Sequence, residues 1–215
     1  MEYTVDERPV PAAQTCHVPE VFMMTIEERV PMILESERRF AEELALRVIE
    51  KPMASVWMIL IPILLVYHMY RHSRYVDGKK QFVEHYLMSR TNAVREAAAA
   101  LAEARAPDAA RLAAANDMAA DIQPLLQDLL VALIEHFMTL LKADGKDLDS
   151  LVRSSYGSGT AYLLAMNRLN AAERKLYDAL SIRLQEQQEG VHSMVASIEV
   201  ESERLRREEA HRIFG

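Results

Sequence analysis

Two Glu-x-x-His pairs, Glu189…His192 and Glu208…His211, have the spacing with which helical bundles hold paired iron or manganese ions. They lie 19 residues apart on one helical stretch, hence ~28 Å apart along the axis and ~100° around it, so they do not share a metal. A chain with 22 Glu and 7 His produces such short matches by chance, and both read as solvated charge on the last helix. Glu84–His85 and Glu135–His136 are neighbouring pairs whose side chains diverge, and they are expected on helix surfaces. Tyr156-Gly157-Ser158-Gly159-Thr160 precedes a helix but lacks the lysine and spacing of a phosphate loop. It reads as a turn with Ser158 or Thr160 as helix cap. Cys16, the only cysteine, excludes a disulfide framework and multi-cysteine metal sites, and beside His17 it has no shielding pocket to activate it. No Gly-x-Ser-x-Gly elbow occurs. The expectation is a non-enzymatic chain with no catalytic residue, no bound metal and no cofactor.

The elements that would carry these residues are helical. Half of the 215 residues are apolar, 27% are charged, and Gly and Pro number only 6 and 8. Abundant Ala, Leu and Met favour helix over strand. Thr25 and Glu28 form a capping-box pattern, with Pro31 interrupting soon after. Ile33, Phe40, Leu44 and Val48 then fall at helical spacing, with Glu35, Glu37, Arg38, Glu42 and Glu43 largely opposite them. An Ala-rich stretch breaks at Ala106–Pro107, where Asp108 suits the first turn of the next helix. Met118, Ile122, Leu125, Leu126, Leu129, Leu133, Phe137 and Leu140 make a wide apolar stripe ending at Lys142, with Pro124 restarting its helix early. Residues 143–147 and 154–160 are turns by composition. Leu163, Leu169, Leu176, Leu180 and Leu184 mark one further inner face, and Val191, Ile198 and Leu205 another. The fold expected is an all-α bundle of six or seven helices, one of them long and apolar. Its segments are a loose arm (1–24), an amphipathic helix (25–51), an apolar helix (52–70), a basic helix (71–92) and a bundle (93–215).

The apolar segment is the most informative. Residues 52–70 carry no formal charge and lie between Lys51 and Arg71. As a helix they would extend ~29 Å, close to the ~30 Å of a bilayer's hydrocarbon core. Trp57 lies near one end, with Tyr67 and Tyr70 at the other, as interfacial aromatics do. Arg71, Arg74, Lys79 and Lys80 follow, a cluster suited to anionic headgroups at ~1 kcal/mol each. Residues 51–96 carry 7 Lys/Arg against 3 Asp/Glu, whereas the flanking regions are acidic and the chain nets −7. That balance argues against nucleic acid as a partner.

Trp57, Ile59, Leu60, Ile61, Pro62, Ile63, Leu64, Leu65, Tyr67 and Tyr70 are therefore the expected lipid contacts, with the four cations on headgroups. Two geometries stand open. In one the segment spans the bilayer straight; in the other it bends at Pro62, each arm entering about one leaflet (~14 Å), and both flanks stay on one side. The flanks carry four and five cations within twenty residues, too even to fix orientation. The first reading is a membrane-associated helical scaffold that binds a protein partner, with its bundle on the cytoplasmic side of an inner membrane. The excess of Arg over Lys, 19 to 6, associates it with a bacterial chain of high GC content. Two alternatives stand beside it. One is a cytoplasmic bundle with 52–70 as its core helix, binding an apolar ligand; the other is a metal-dependent bundle enzyme.

Overall fold

Thr25 and Glu28 bond reciprocally: the Thr25 N–H donates to Glu28 Oε2 at 2.8 Å and the Glu28 N–H to Thr25 Oγ1 at 3.3 Å. This satisfies two of the free donors at the start of the first helix, as the sequence pattern predicts. A computed structural model describes residues 24–49, 78–116, 118–185 and 191–215. Among them every regular element is an α-helix: α1 (Ile26–Ile49), α2 (Gly78–Ala102), α3 (Ala109–Ala114), α4 (Gln123–Lys142), α5 (Leu148–Tyr156), α6 (Gly159–Gln185) and α7 (Val191–Phe214). The all-α bundle read from composition is what forms.

Five long helices close a ring in which α1 packs on α2, α2 on α4, α4 on α6, α6 on α7, and α7 back on α1. The central wall is α4, the one described helix long and apolar enough to cross a membrane. Leu126, Leu129, Leu130, Leu133, Ile134, Phe137, Leu140 and Leu141 are all buried, while Gln127, Asp128 and Glu135 keep its outer side polar. Its apolar character is thereby accounted for by core packing, each such side chain contributing roughly 1.5–3 kcal/mol. Pro124 sits in the first turn, where its missing N–H costs nothing. At the other end the buried Arg29 of α1 donates to the Leu141 carbonyl at 2.7 Å, placing a cation on the C-terminal dipole of α4.

α1 and α2 run antiparallel. Ile33 shares one buried cluster with Ala93, Val94 and Ala97. Ala41, Leu44, Ala45 and Val48 share a second with Phe82, Val83, Tyr86 and Leu87. The C-terminal end of α1 and the N-terminal end of α2 therefore lie at the same end of the bundle. Pro31 does not interrupt α1, which runs through it. The capping box before it and the Arg29 anchor beside it hold this first stretch in place.

The connections follow their local signals. α2 ends in a Schellman arrangement: Arg105 N–H donates to the Ala100 carbonyl at 3.0 Å and Ala104 N–H to that of Leu101 at 3.4 Å. Ala104 takes the left-handed position, φ 50°, where glycine is usual. Glu96 then gathers the loop. Its carboxylate accepts from Arg105 (2.6 Å), the Asp108 N–H (2.8 Å) and Arg111 (2.8 Å). Asp108 and Asp147 cap α3 and α5, and Gly157, at φ 67°, ends α5. Ser158 rather than Thr160 caps α6, accepting from the Ala161 N–H at 3.2 Å.

Candidate functional site

The expected lipid-contacting residues Trp57, Ile59–Leu65, Tyr67 and Tyr70, together with Arg71 and Arg74, lie outside the described residues, as do Cys16 and His68. Lys79 lies in the first turn of α2. Lys80 is exposed there, its Nζ 3.9 Å from Glu84. A groove of about 420 Å³ runs beside it between α1 and α2, lined by Arg38, Glu42, Ala45, Leu46, Val83 and Glu84. Leu46 is one of the few large apolar side chains left exposed. This end of the bundle is where the chain departs toward and returns from residues 50–77.

A second site lies inside the ring, and the sequence reading missed it. Arg90 of α2 is 2% exposed, with its Nε 2.8 Å from Glu37 of α1 and its Nη2 on Tyr86 Oη at 2.6 Å and on Glu173 of α6. Arg206 of α7 is 4% exposed and donates through Nη2 to Glu173 at 3.1 and 3.3 Å, with its guanidinium 5.3 Å from the centre of the Phe40 ring. Two arginines and two glutamates thus tie four helices together. Burial raises the Glu37 carboxyl above the usual carboxylate range, against the pull of Arg90 and Arg206. Burial acts the same way on Glu173, but Arg206 and Arg90 together outweigh it and hold that carboxyl low. Glu37 is therefore not on the solvent side of α1, where its neighbours Glu35 and Arg38 lie. It falls three residues before Phe40 and four after Ile33, in phase with the buried stripe.

The histidines also depart from expectation. His85 is buried, its Nδ1 has no hydrogen-bond partner, and burial lowers its pKa. His136 faces inward, 2.5 Å from the Tyr156 hydroxyl. Burial, reinforced by Arg206 and Arg90, lowers its pKa to about 3, so its ring is neutral at physiological pH. Both histidines follow an outward glutamate in sequence, and the ~100° step between neighbours turns the histidine inward when the glutamate faces water. Glu208 of the second Glu-x-x-His pair is spent on ion pairs, with Arg47 at 2.8 Å and Arg204 at 3.0 Å. No group of three His, Cys, Asp or Glu suited to a metal ion occurs among the described residues.

A cleft of about 790 Å³ opens between α1 and α7, completed by α4, α5 and α6. His136, Glu37 and Arg206 lie along it with the apolar side chains of Ile33, Leu140 and Val152. Arg39, Arg47 and Arg212 stand toward solvent. Arg212 binds Asp149 at 2.5 and 2.9 Å, and Arg153 donates to the Ile213 carbonyl at 2.6 Å, so α5 fixes the end of α7 that borders the cleft.

The chain matches no protein family, and no curated protein or solved structure is similar to it. The functional reading rests on its own sequence and geometry.

Proposed function

We propose that this protein is a non-enzymatic, membrane-associated helical scaffold whose bundle stays on one face of the bilayer and presents its surface to a protein partner. The observation that carries the reading is the antiparallel packing of α1 on α2, seen in the 2.8 Å Arg90–Glu37 contact and the stacking of Phe40 on Tyr86. α1 ends and α2 begins at the same end of the bundle, so the described chain on both sides of the uncharged run 52–70 lies at that end. A straight span would carry α1 across the membrane, away from α2 and α7. Exposing Ile33, Leu44 and Val48, each 4% exposed or less, would cost roughly 5–9 kcal/mol. A segment that enters and leaves the same leaflet keeps that packing intact. Of the two geometries left open by the sequence, the bent one is therefore adopted here.

The basic turn at Lys79 and Lys80 supports the same end as the membrane-facing one, on a cytoplasmic leaflet rich in anionic lipid. The centre of the described bundle is occupied by α4, so the core has a central helix without recruiting residues 52–70. That is why the membrane reading is preferred to the alternative with 52–70 as a core helix.

Flotation of the purified chain with liposomes tests this. The chain is expected to rise with vesicles containing phosphatidylglycerol. A variant with Ile61→Asp and Leu64→Asp is expected to stay at the bottom of the gradient while keeping its helical circular dichroism. A wild-type chain that stays at the bottom overturns the reading.

A further inference from the structure

We propose that α6 is the interface of a two-fold dimer, its outward face docking antiparallel on the same face of a second copy of this chain. The inward face is already used: Met166, Leu169, Glu173, Leu176 and Leu180 are buried, and α6 packs on α4, α5 and α7. Outward, Leu164, Arg168, Ala171, Lys175, Asp178 and Ile182 follow one another at alternating steps of four and three residues. That is the 3.5-residue repeat of a helix–helix seam, so the six form one stripe, ~27 Å long from Leu164 to Ile182. Leu164 is 57% and Ile182 67% exposed, whereas most large apolar side chains of the bundle are buried.

The order of these residues selects a second copy as the occupant, because the stripe complements itself when reversed. Antiparallel pairing centred between Ala171 and Lys175 sets Leu164 against Ile182 of the second copy, Arg168 against its Asp178, and Ala171 against its Lys175, each twice. Apolar side chains meet at both ends and opposite charges in the layers next to them. In the middle the Lys175 methylenes cover Ala171 while the ammonium reaches water. Parallel pairing would instead set Arg168 on Arg168, Lys175 on Lys175 and Asp178 on Asp178, and that repulsion fixes the antiparallel sense. A contact of this isologous kind closes on itself as a dimer.

The charges of the stripe are available for this pairing. Arg168 and Lys175 are exposed and have no ion pair among the described residues. Asp178 has a side chain 47% exposed, and its neighbour Arg174 lies nearer to Glu199, at 3.4 Å, than to Asp178, at 3.8 Å. In the dimer the ends at which α1 finishes and α2 begins point in opposite directions, so under the membrane reading only one copy of a pair rests that end on a given bilayer. The dimer itself does not depend on that reading.

The test is sedimentation equilibrium of the full chain with Cys16 kept reduced, in the wild type and in the Ile61→Asp, Leu64→Asp variant, which removes association through residues 52–70. Both are expected to pass from the mass of one chain to that of two between about 1 and 300 μM, the weak range proper to a small interface. Arg168→Asp and Asp178→Arg each set like charges against one another twice, and each is expected to weaken the dimer tenfold or more. Combining the two reversals restores opposite charges and is expected to bring the affinity back to within threefold of the parent. The substituted side chains lie on the outer face of α6, so helical circular dichroism is expected to be unchanged. The mass of one chain at every concentration, single reversals without effect, or no recovery in the double reversal overturns the proposal. So does association confined to the wild type, which assigns it to residues 52–70.

Discussion

Arg206 Nη2 reaches both carboxylate oxygens of Glu173, at 3.3 and 3.1 Å, and the same carboxylate also receives Arg90. One buried anion therefore serves two buried cations from two other helices. Removing one partner of such a set leaves an uncompensated charge in the interior. Glu173→Ala is expected to destabilise the protein by about 3–5 kcal/mol, read from urea unfolding. Glu84→Ala, at an exposed site on α2, is expected to change stability by less than about 0.5 kcal/mol.

The two glutamates of this cluster give opposite pH dependences. Glu173 has a depressed pKa when folded, so its contribution is present above the carboxylate's ordinary value and is lost as pH falls through the folded one. Glu37 has a raised pKa when folded, so its contribution is full below the ordinary value of 4.5 and is lost as pH rises through the folded one. Urea midpoints followed from pH 4 to pH 8 are expected to separate the two. Glu37→Gln should remove a decline in stability on the way up from about pH 4.5. Glu173→Gln should instead flatten the acid side. Identical pH profiles in the two variants would contradict the assignment.

Much of the fold was legible because it rests on local chemistry. The Thr25/Glu28 box and the stripe from Ile122 to Leu140 need only a few neighbouring residues and formed where those residues predict, while Asp108 caps α3 from just before the first turn where it was expected and the break expected over 154–160 narrows to Gly157 and Ser158. The buried charges did not declare themselves in the same way. Arg90 lies between Leu87 and Val94, and Glu173 between Leu169 and Leu176, both in the phase of a buried stripe. Periodicity alone marks such a residue as an interruption of the stripe. Its partner lies 83 residues away in the case of Arg90 and Glu173, and only tertiary packing supplies it. The cleft was equally invisible, since five helices contribute to it and no short segment contains it.

Ala104 holds a left-handed backbone position in the turn that ends α2. Ala104→Gly relieves a steric cost of roughly 1 kcal/mol there but adds chain entropy to the unfolded state. The unfolded-state entropy offsets about 0.4–1 kcal/mol of that, so the net expectation is a gain of no more than about 0.6 kcal/mol in urea unfolding, with the Glu96 clamp on Arg105 and Arg111 intact.

Phe137 of α4 is fully buried at the centre of the larger cluster. Phe137→Ala is expected to cost about 3–5 kcal/mol through lost burial and the cavity left behind. Val131→Ala, on the 40% exposed side of the same helix, is expected to cost less than about 1 kcal/mol. Equal losses at both positions would contradict the placement of α4 as the bundle's inner wall.

The central claim is that α1 and α2 lie on the same face of the membrane. Single cysteines at Glu42→Cys on α1 and Glu84→Cys on α2, both exposed positions, are placed in a Cys16→Ser background. They are then probed with a membrane-impermeant maleimide on intact spheroplasts and on inverted membrane vesicles. Both sites are predicted to label in inverted vesicles and neither in spheroplasts. Labelling of one site in each preparation, or a chain found wholly outside the membrane fraction, would contradict the account.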